Sequence, residues 1–335
     1  MKRTQIAATA GIAAGVVGLT ALALPTGAGA DPVLPPVAPE ALVESVLTAT
    51  PPALAGTVEV DNELGLPAVP GAPEISQGDA SFQVWADGQG RHRVSIPSPA
   101  GETTVVNDGA TVWKWNAEKR QVVKAPHHEQ QPRHEATDPA ALSRQLVDTL
   151  RRSSDVTVDG TASVAGRDAY ELVLTPKPTE RTVLREVRIA VDSEKRIPLA
   201  VTVNTNGSDN PALRVGFSNL DLSQPDAALF QFTAPPGAQV EEAKPGPEHK
   251  ADHPQPTFVG DGWDTVVRTA LPAGDDKDAA DPVAVVKQIG KPVNGPWGQG
   301  WIVTTKAGSA LVTADGQVLA GAVPEQVLTE ALGNR

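Results

Sequence analysis

The side chains best equipped for metal or acid–base chemistry are His127, His128, Glu129, His134 and Glu135, with His249 and His253 further on. A protein metal site needs ligands that converge at a defined spacing. The first group matches no such spacing and lies in a Pro-containing stretch, so it reads as a solvated loop. His249 and His253 are four apart, but Pro247 and Pro254 beside them disfavour the helix that would align them. Nucleophilic catalysis lacks a Gly-x-Ser-x-Gly elbow and a Ser/His/Asp set. Gly295-Pro296-Trp297-Gly298-Gln299-Gly300 reads as a turn, since Pro and Trp interrupt any phosphate cradle. Asp275-Asp276 lies in an acidic loop where no burial would perturb a carboxyl. The 335 residues contain no cysteine, which excludes disulfides, thiolate metal ligands and a lipidated N-terminal Cys. The sequence therefore points to a non-enzymatic protein with no cofactor and no metal.

What remains is an arrangement of apolar and aromatic residues at strand spacing. Ser81–Trp85, His92–Ile96, Thr103–Val106, Thr111–Trp115 and Gln121–Lys124 alternate in period two and are punctuated by Asp-Gly turns, the pattern of an antiparallel meander. Strands are again expected at 56–60, 155–164, 168–174, 183–191, 199–204 and 213–217. Helices are expected from Pro39 to Leu47 and from Pro139 to Leu150, where Leu142, Leu146, Val147 and Leu150 form one stripe. Within single strands the apolar sets are Phe82 and Val84; Val94 and Ile96; Trp113 and Trp115; Tyr170, Leu172 and Leu174; Val187 and Ile189; Leu199 and Val201; Val215 and Phe217. The alternate positions carry Arg91, Arg93, Lys114, Glu171, Glu186, Arg188, Thr202 and Arg214. One greasy and one wet side are expected. About ten strands with so few helices to cover them imply a curved sheet that encloses a packed core or an apolar cavity.

The chain starts Met1-Lys2-Arg3, runs uncharged from Ile6 to Leu24, breaks at Pro25 and reaches Ala28-Gly29-Ala30. That is the layout of an export signal cut after Ala30. Retained, the same run would anchor the protein to a membrane. The net charge of −12 becomes two units more negative once Lys2 and Arg3 are removed, which argues against nucleic-acid partners. A Pro-rich lead is expected at 31–38, a main domain at 39–235, a linker at 236–256 and a small α+β domain at 257–335. In the last, strands are expected at 263–271, 301–305, 309–313 and 317–323, with helices at 282–289 and 324–332.

Four stretches resemble the LolA/RseB superfamily of bacterial envelope proteins. Asn107-Asp108-Gly109-Ala110-Thr111-Val112-Trp113-Lys114-Trp115 resembles its Asp-Gly-x-x-Val/Leu-Trp hairpin. Gly166 to Pro176, with Tyr170, Leu172 and Leu174, resembles its Gly-x-x-x-Tyr-x-Leu-x-Leu-x-Pro strand. Ile189–Val203 holds Val191-Asp192 and Ile197-Pro198-Leu199. Phe230-Gln231-Phe232-Thr233-Ala234-Pro235-Pro236-Gly237 is similar to its closing segment.

The resemblance spans residues 40–240. It implies a mainly β fold with α: a half-open antiparallel β-barrel covered by helices, whose greasy face holds acyl chains. LolA-type members carry lipoproteins. RseB-type members add a small second domain and bind the periplasmic part of an anti-sigma factor. The function expected is thus an exported lipid- or lipoprotein-binding carrier, the alternative an RseB-type envelope-stress regulator. The cavity candidates are Phe82, Val84, Val94, Ile96, Trp113, Trp115, Tyr170, Leu172, Leu174, Val187, Ile189, Leu199, Val201, Val215 and Phe217.

Overall fold

A computed structural model describes residues 32–65, 78–126, 150–243, 256–271 and 282–333. The export signal, the His127–Glu135 stretch and nearly all of the expected 139–150 helix lie outside the described residues.

The described chain forms two sheets. The first is built from β1 (Ala53–Asn62), β2 (Ala80–Asp87), β3 (His92–Ser98), β4 (Gly101–Asn107), β5 (Thr111–Asn116), β6 (Gln121–Pro126), β7 (Ser154–Val164), β8 (Arg167–Pro176), β9 (Leu184–Asp192), β10 (Pro198–Thr205), β11 (Leu213–Asp221) and β12 (Gln239–Glu242). Its order is β12-β6-β5-β4-β3-β2-β1-β11-β10-β9-β8-β7. β12 and β7 end this order and do not pair with each other, so the structure is an open sheet rather than a barrel. Every pairing is antiparallel except β12 on β6, which is parallel. Residues 239–242 were expected to be linker. All four are exposed and show no apolar alternation, so backbone pairing alone makes them a strand.

Three hairpin turns share one device. Asp108 Oδ1 accepts the N–H groups of Ala110 and Thr111, with Gly109 at φ 98° between them. Asp87 accepts from Gln89 and Arg91, and Asp192 from Glu194 and Lys195. An Asp side chain that satisfies the turn's own backbone fixes the register of the strands it joins.

The helix α1 (Pro39–Thr48) starts with Pro at its first turn and buries Leu42 and Val43 against Tyr170, Leu172 and Val191. Arg151 pairs with Glu40 and ties α1 to the residues before β7. Ahead of α1, Pro32 O accepts from Thr161 and Pro35 O from the Tyr170 hydroxyl, so the Pro-rich lead lies along β7 and β8.

The second sheet comprises β13 (Thr257–Val259), β14 (Val266–Ala270), β15 (Lys291–Gly295), β16 (Gly298–Thr305), β17 (Gly308–Thr313) and β18 (Gln317–Gly321), in the order β13-β14-β18-β17-β16-β15. Helix α3 (Glu325–Gly333) seals one face with Val327, Leu328, Ala331 and Leu332 over Val266, Ile302, Leu311 and Leu319. Helix α2 (Pro282–Ile289) lies by β16, with Lys287 over the Trp301 ring at 4.8 Å. Among the described residues no helix is long and apolar enough to cross a membrane.

Candidate functional site

The pairings fix which side chains share a face of the first sheet. Side chains on a strand alternate, and directly opposed residues point the same way. Starting from Val58 and Phe82, the register carries one face through Val84, Val94 and Ile96 on one side, and through Phe217, Val215, Val201, Ile189, Val187, Tyr170, Leu172 and Leu174 on the other. Leu199 sits in the irregularity between Pro198 and Ala200 and is fully buried. Because α1 packs on this side, we call it the helix face. Its far end is densely packed: Leu54, Val58, Val84, Val94, Leu199 and Phe217 form one cluster that continues into Ile197 beside the β9–β10 turn. Phe82, Ile96, Leu174, Val187, Ile189, Val201 and Val215 on the same face are only half-buried.

Trp113 and Trp115 are on the opposite face. Val105 opposes Lys114, whereas Val106 and Thr104 oppose Trp113 and Trp115. The expectation that both indoles join Phe82 and Leu172 is corrected, and so is the expectation that Lys114 lies on the wet side. Phase within one strand is legible from its own sequence. Phase between strands is set by register, and at β5 the bulky residues face outward because another segment covers them there. Residues 229–232 form that strap. The Phe232 ring stacks on Trp113 at 5.5 Å, Arg91 lies over Phe230 at 5.4 Å, and Arg93 Nη1 donates to Leu229 O. Asp108 Oδ2 accepts the Trp113 indole N–H. The strap's 3-10 turn, Ala227–Phe230, was not foreseen; Asp226 capping Ala228 N is the signal that could have found it.

On this strap face, β7 to β11 carry charge. Arg188 pairs with Glu186 at 2.9 Å, Glu171 at 3.0 Å and Asp159 at 3.3 Å. The hydrogen bond that Arg188 Nε donates to Glu186 leads the effects holding the guanidinium firmly protonated. Burial pushes Arg214 down and Asp61 up. Glu171, Arg188, Thr202 and Arg214 line a small cleft of about 70 Å³ with Ala162 and Ala200. Among the described residues no group of three or more His, Asp or Glu side chains could hold a metal ion.

The second sheet docks on one end of the first. Val183 N and Thr182 Oγ1 both donate to Ala322 O, at 3.0 and 2.6 Å. Trp263 donates its indole N–H to Ser154 Oγ and its backbone N–H to Glu180, each at 2.7 Å. Arg181 pairs with Glu330 and Lys306 with Glu63. These contacts run from the end of β1 to the start of β7 along one rim. The sequence pattern carried no sign of them, since most are isolated residues in turns or at element ends, where no periodicity marks them.

The first sheet is thus an open antiparallel sheet with one largely apolar face under a short helix. Residues 83–233 match the family model described as "Outer membrane lipoprotein carrier protein LolA". No curated protein sequence matches the chain. Among solved structures, MucB in the Pseudomonas aeruginosa MucA/MucB complex is similar at 16% identity and TM-score 0.44, over 87% of this chain and 94% of that one. An uncharacterized conserved protein from Thermus thermophilus is 14% identical, with TM-score 0.35 over 60% of this chain and 96% of that one. A LolA superfamily protein from Nitrosomonas europaea is 15% identical, with TM-score 0.24 over 59% of this chain and 99% of that one.

Proposed function

We propose that this is an exported, non-enzymatic protein that holds lipid or lipoprotein acyl chains against the helix face of its first sheet. The observation that carries this reading is the row of half-buried apolar residues, Phe82, Ile96, Leu174, Val187, Ile189, Val201 and Val215, on a single face. Apolar surface left to water costs about 25 cal/mol per Å². An acyl chain laid on it removes that cost. The match of residues 83–233 to a lipoprotein-carrier family supports the same reading. In it, residues 1–30 are the export signal, 39–235 the binding domain, 236–256 a linker and 257–335 a small second domain. The protein then works outside the cytoplasm, free if the signal is cut after Ala30 and tethered if it stays.

Mass spectrometry of solvent extracts from the purified mature protein tests this, together with titration of a fluorescent fatty acid. The expected result is co-purified lipid and saturable binding. Protein that carries no lipid and binds no probe would overturn it.

A second reading, an RseB-type regulator that binds a membrane-anchored anti-sigma factor, is favoured by one feature. The second sheet is docked by hydrogen bonds and ion pairs from Glu63 to Trp263, a layout a simple carrier does not need. Affinity capture from detergent-solubilised envelope should then recover an anti-sigma factor, and its consistent absence counts against this role.

A further inference from the structure

Lys114 lies on the face opposite Arg93, Glu171, Glu186, Arg188 and Arg214. It projects on the helix face, directly opposed by Val105 on β4 and Val123 on β6, with Val112 and Asn116 as its same-side neighbours along β5. It is half-buried. No ion pair or hydrogen bond engages its ammonium among the described residues. Burial lowers its pKa, and among the described residues the charge that acts on it is a second cation, Lys119. By contrast, Arg188 on the other face meets three carboxylates. Holding a cation on an apolar surface with nothing opposite it is unfavourable unless a partner arrives.

The surroundings of Lys114 show what kind of partner fits. Across β4, β5 and β6 the helix face turns polar, with Thr103, Asn107, Asn116 and Gln121 interleaved among valines. From β2 through β1 to β8 it is almost wholly apolar. One face thus has an apolar floor and a polar shoulder with one positive charge. β2, where Phe82 begins the floor, lies three strands from β5, about 14 Å at the usual strand spacing. A single amphiphile spans that distance.

Resting on the acyl-binding reading above, we infer that Lys114 receives the oxyanion, carboxylate or phosphate, at the head of the bound acyl chain. The chain lies on the floor and its head ends on the shoulder. A charge-assisted hydrogen bond in such a half-dry setting is worth roughly ten- to a hundredfold in affinity.

The test compares palmitate with its methyl ester, which has the same chain and no charge, on the wild type, Lys114→Met and Lys114→Arg. Inorganic phosphate and acetate serve as free-anion competitors. The wild type should bind palmitate at least tenfold more tightly than the ester. Lys114→Met should cut that preference to within twofold with ester binding unchanged, and Lys114→Arg should keep it. Lys114→Met should also unfold at the same temperature or higher, because it removes a desolvated cation. Free anions should compete only weakly, since they lack the chain; strong competition would mean a plain anion site and overturn the inference. A preference that survives in Lys114→Met, or a wild type that binds both ligands equally, also overturns it while leaving the acyl-binding reading intact. A wild type that binds neither ligand removes both.

Discussion

Gly56 lies beneath the ring of Phe217. A Cβ at Gly56 would stand 2.7 Å from Phe217 Cε1 and 2.7 Å from Asn219 O. The fully buried Phe217 ring therefore occupies the space a side chain at 56 would need, next to the irregularity between β1 and β11. Gly56→Val should destabilise by about 1–3 kcal/mol through overpacking, and Phe217→Ala by about 3–5 kcal/mol through cavity formation. In the double variant the penalties should fall well short of their sum, since the valine enters the space the ring vacates. Urea unfolding of the four proteins measures this. Strict additivity would show that the two residues do not share that space.

The assignment of faces makes a prediction about neighbours on one strand. Phe82 lies on the helix face and Gln83 on the strap face. Phe82→Asp should weaken fatty-acid probe binding at least tenfold, whereas Gln83→Asp should leave it within twofold. Circular dichroism checks that both remain folded. Equal effects of the two would refute the placement of the acyl site.

The strap predicts the converse. Phe232→Ala removes the stack on Trp113 and should cost about 1–3 kcal/mol. A double-mutant cycle with Trp113→Phe isolates the ring pair, and probe binding should not change. If losing the Trp113 ring abolished binding, the indole would belong to the site after all.

Asp192 gives a pH dependence with a defined sign. Its side chain is 1% exposed and pairs with Arg167 at 2.5 Å. Burial would push the carboxyl up, but the Arg167 hydrogen bond and the backbone N–H groups of Lys195 and Glu194 outweigh it and hold the group below the ordinary carboxylate range. Asp87, bonded to Arg91, Gln89 and its own turn, is held down the same way. A carboxyl depressed in the folded state stabilises above its unfolded pKa, near 4, and that stability is lost as pH falls through the folded value. Thermal melts should thus drop below about pH 4. Arg167→Ala, which leaves Asp192 buried and unpaired, should cost about 3 kcal/mol near neutral pH and flatten the acid limb.

The docking rim predicts coupled unfolding. Trp263→Phe deletes the hydrogen bond to Ser154, whose residue is 2% exposed, and should cost about 1–2 kcal/mol. Combined with Arg181→Glu, it should split one unfolding transition into two. A single unchanged transition would show that the contacts carry no coupling.

Much of the first sheet is legible in the sequence because each strand writes its own period-two pattern, as Val94-Ser95-Ile96 and Tyr170-Glu171-Leu172 do. β5 is the instructive failure. Trp113-Lys114-Trp115 alternates as clearly as any strand, yet its indoles lie on the strap face and its lysine on the helix face. The deciding information lies in the Val105–Lys114 register and in Phe232, more than a hundred residues away. β12, β13 and β15 went unseen because they are short edge strands that lack buried alternation. The docking residues Glu180 and Thr182 went unseen because a lone polar residue in a turn has no periodicity, and Trp263, expected to open a strand, lies in the turn before β14.

The free edges of β7 and β12 bear on the girth of what the sheet can hold. A closed barrel has a radius dictated by strand number and shear, and it cannot widen without breaking a seam. In this sheet no described seam exists between the first and last strands. A sheet without that seam can relax or tighten its twist with its ladder bonds intact, so under the proposed acyl-binding role one chain would fit cargoes of different thickness much as a split sleeve does.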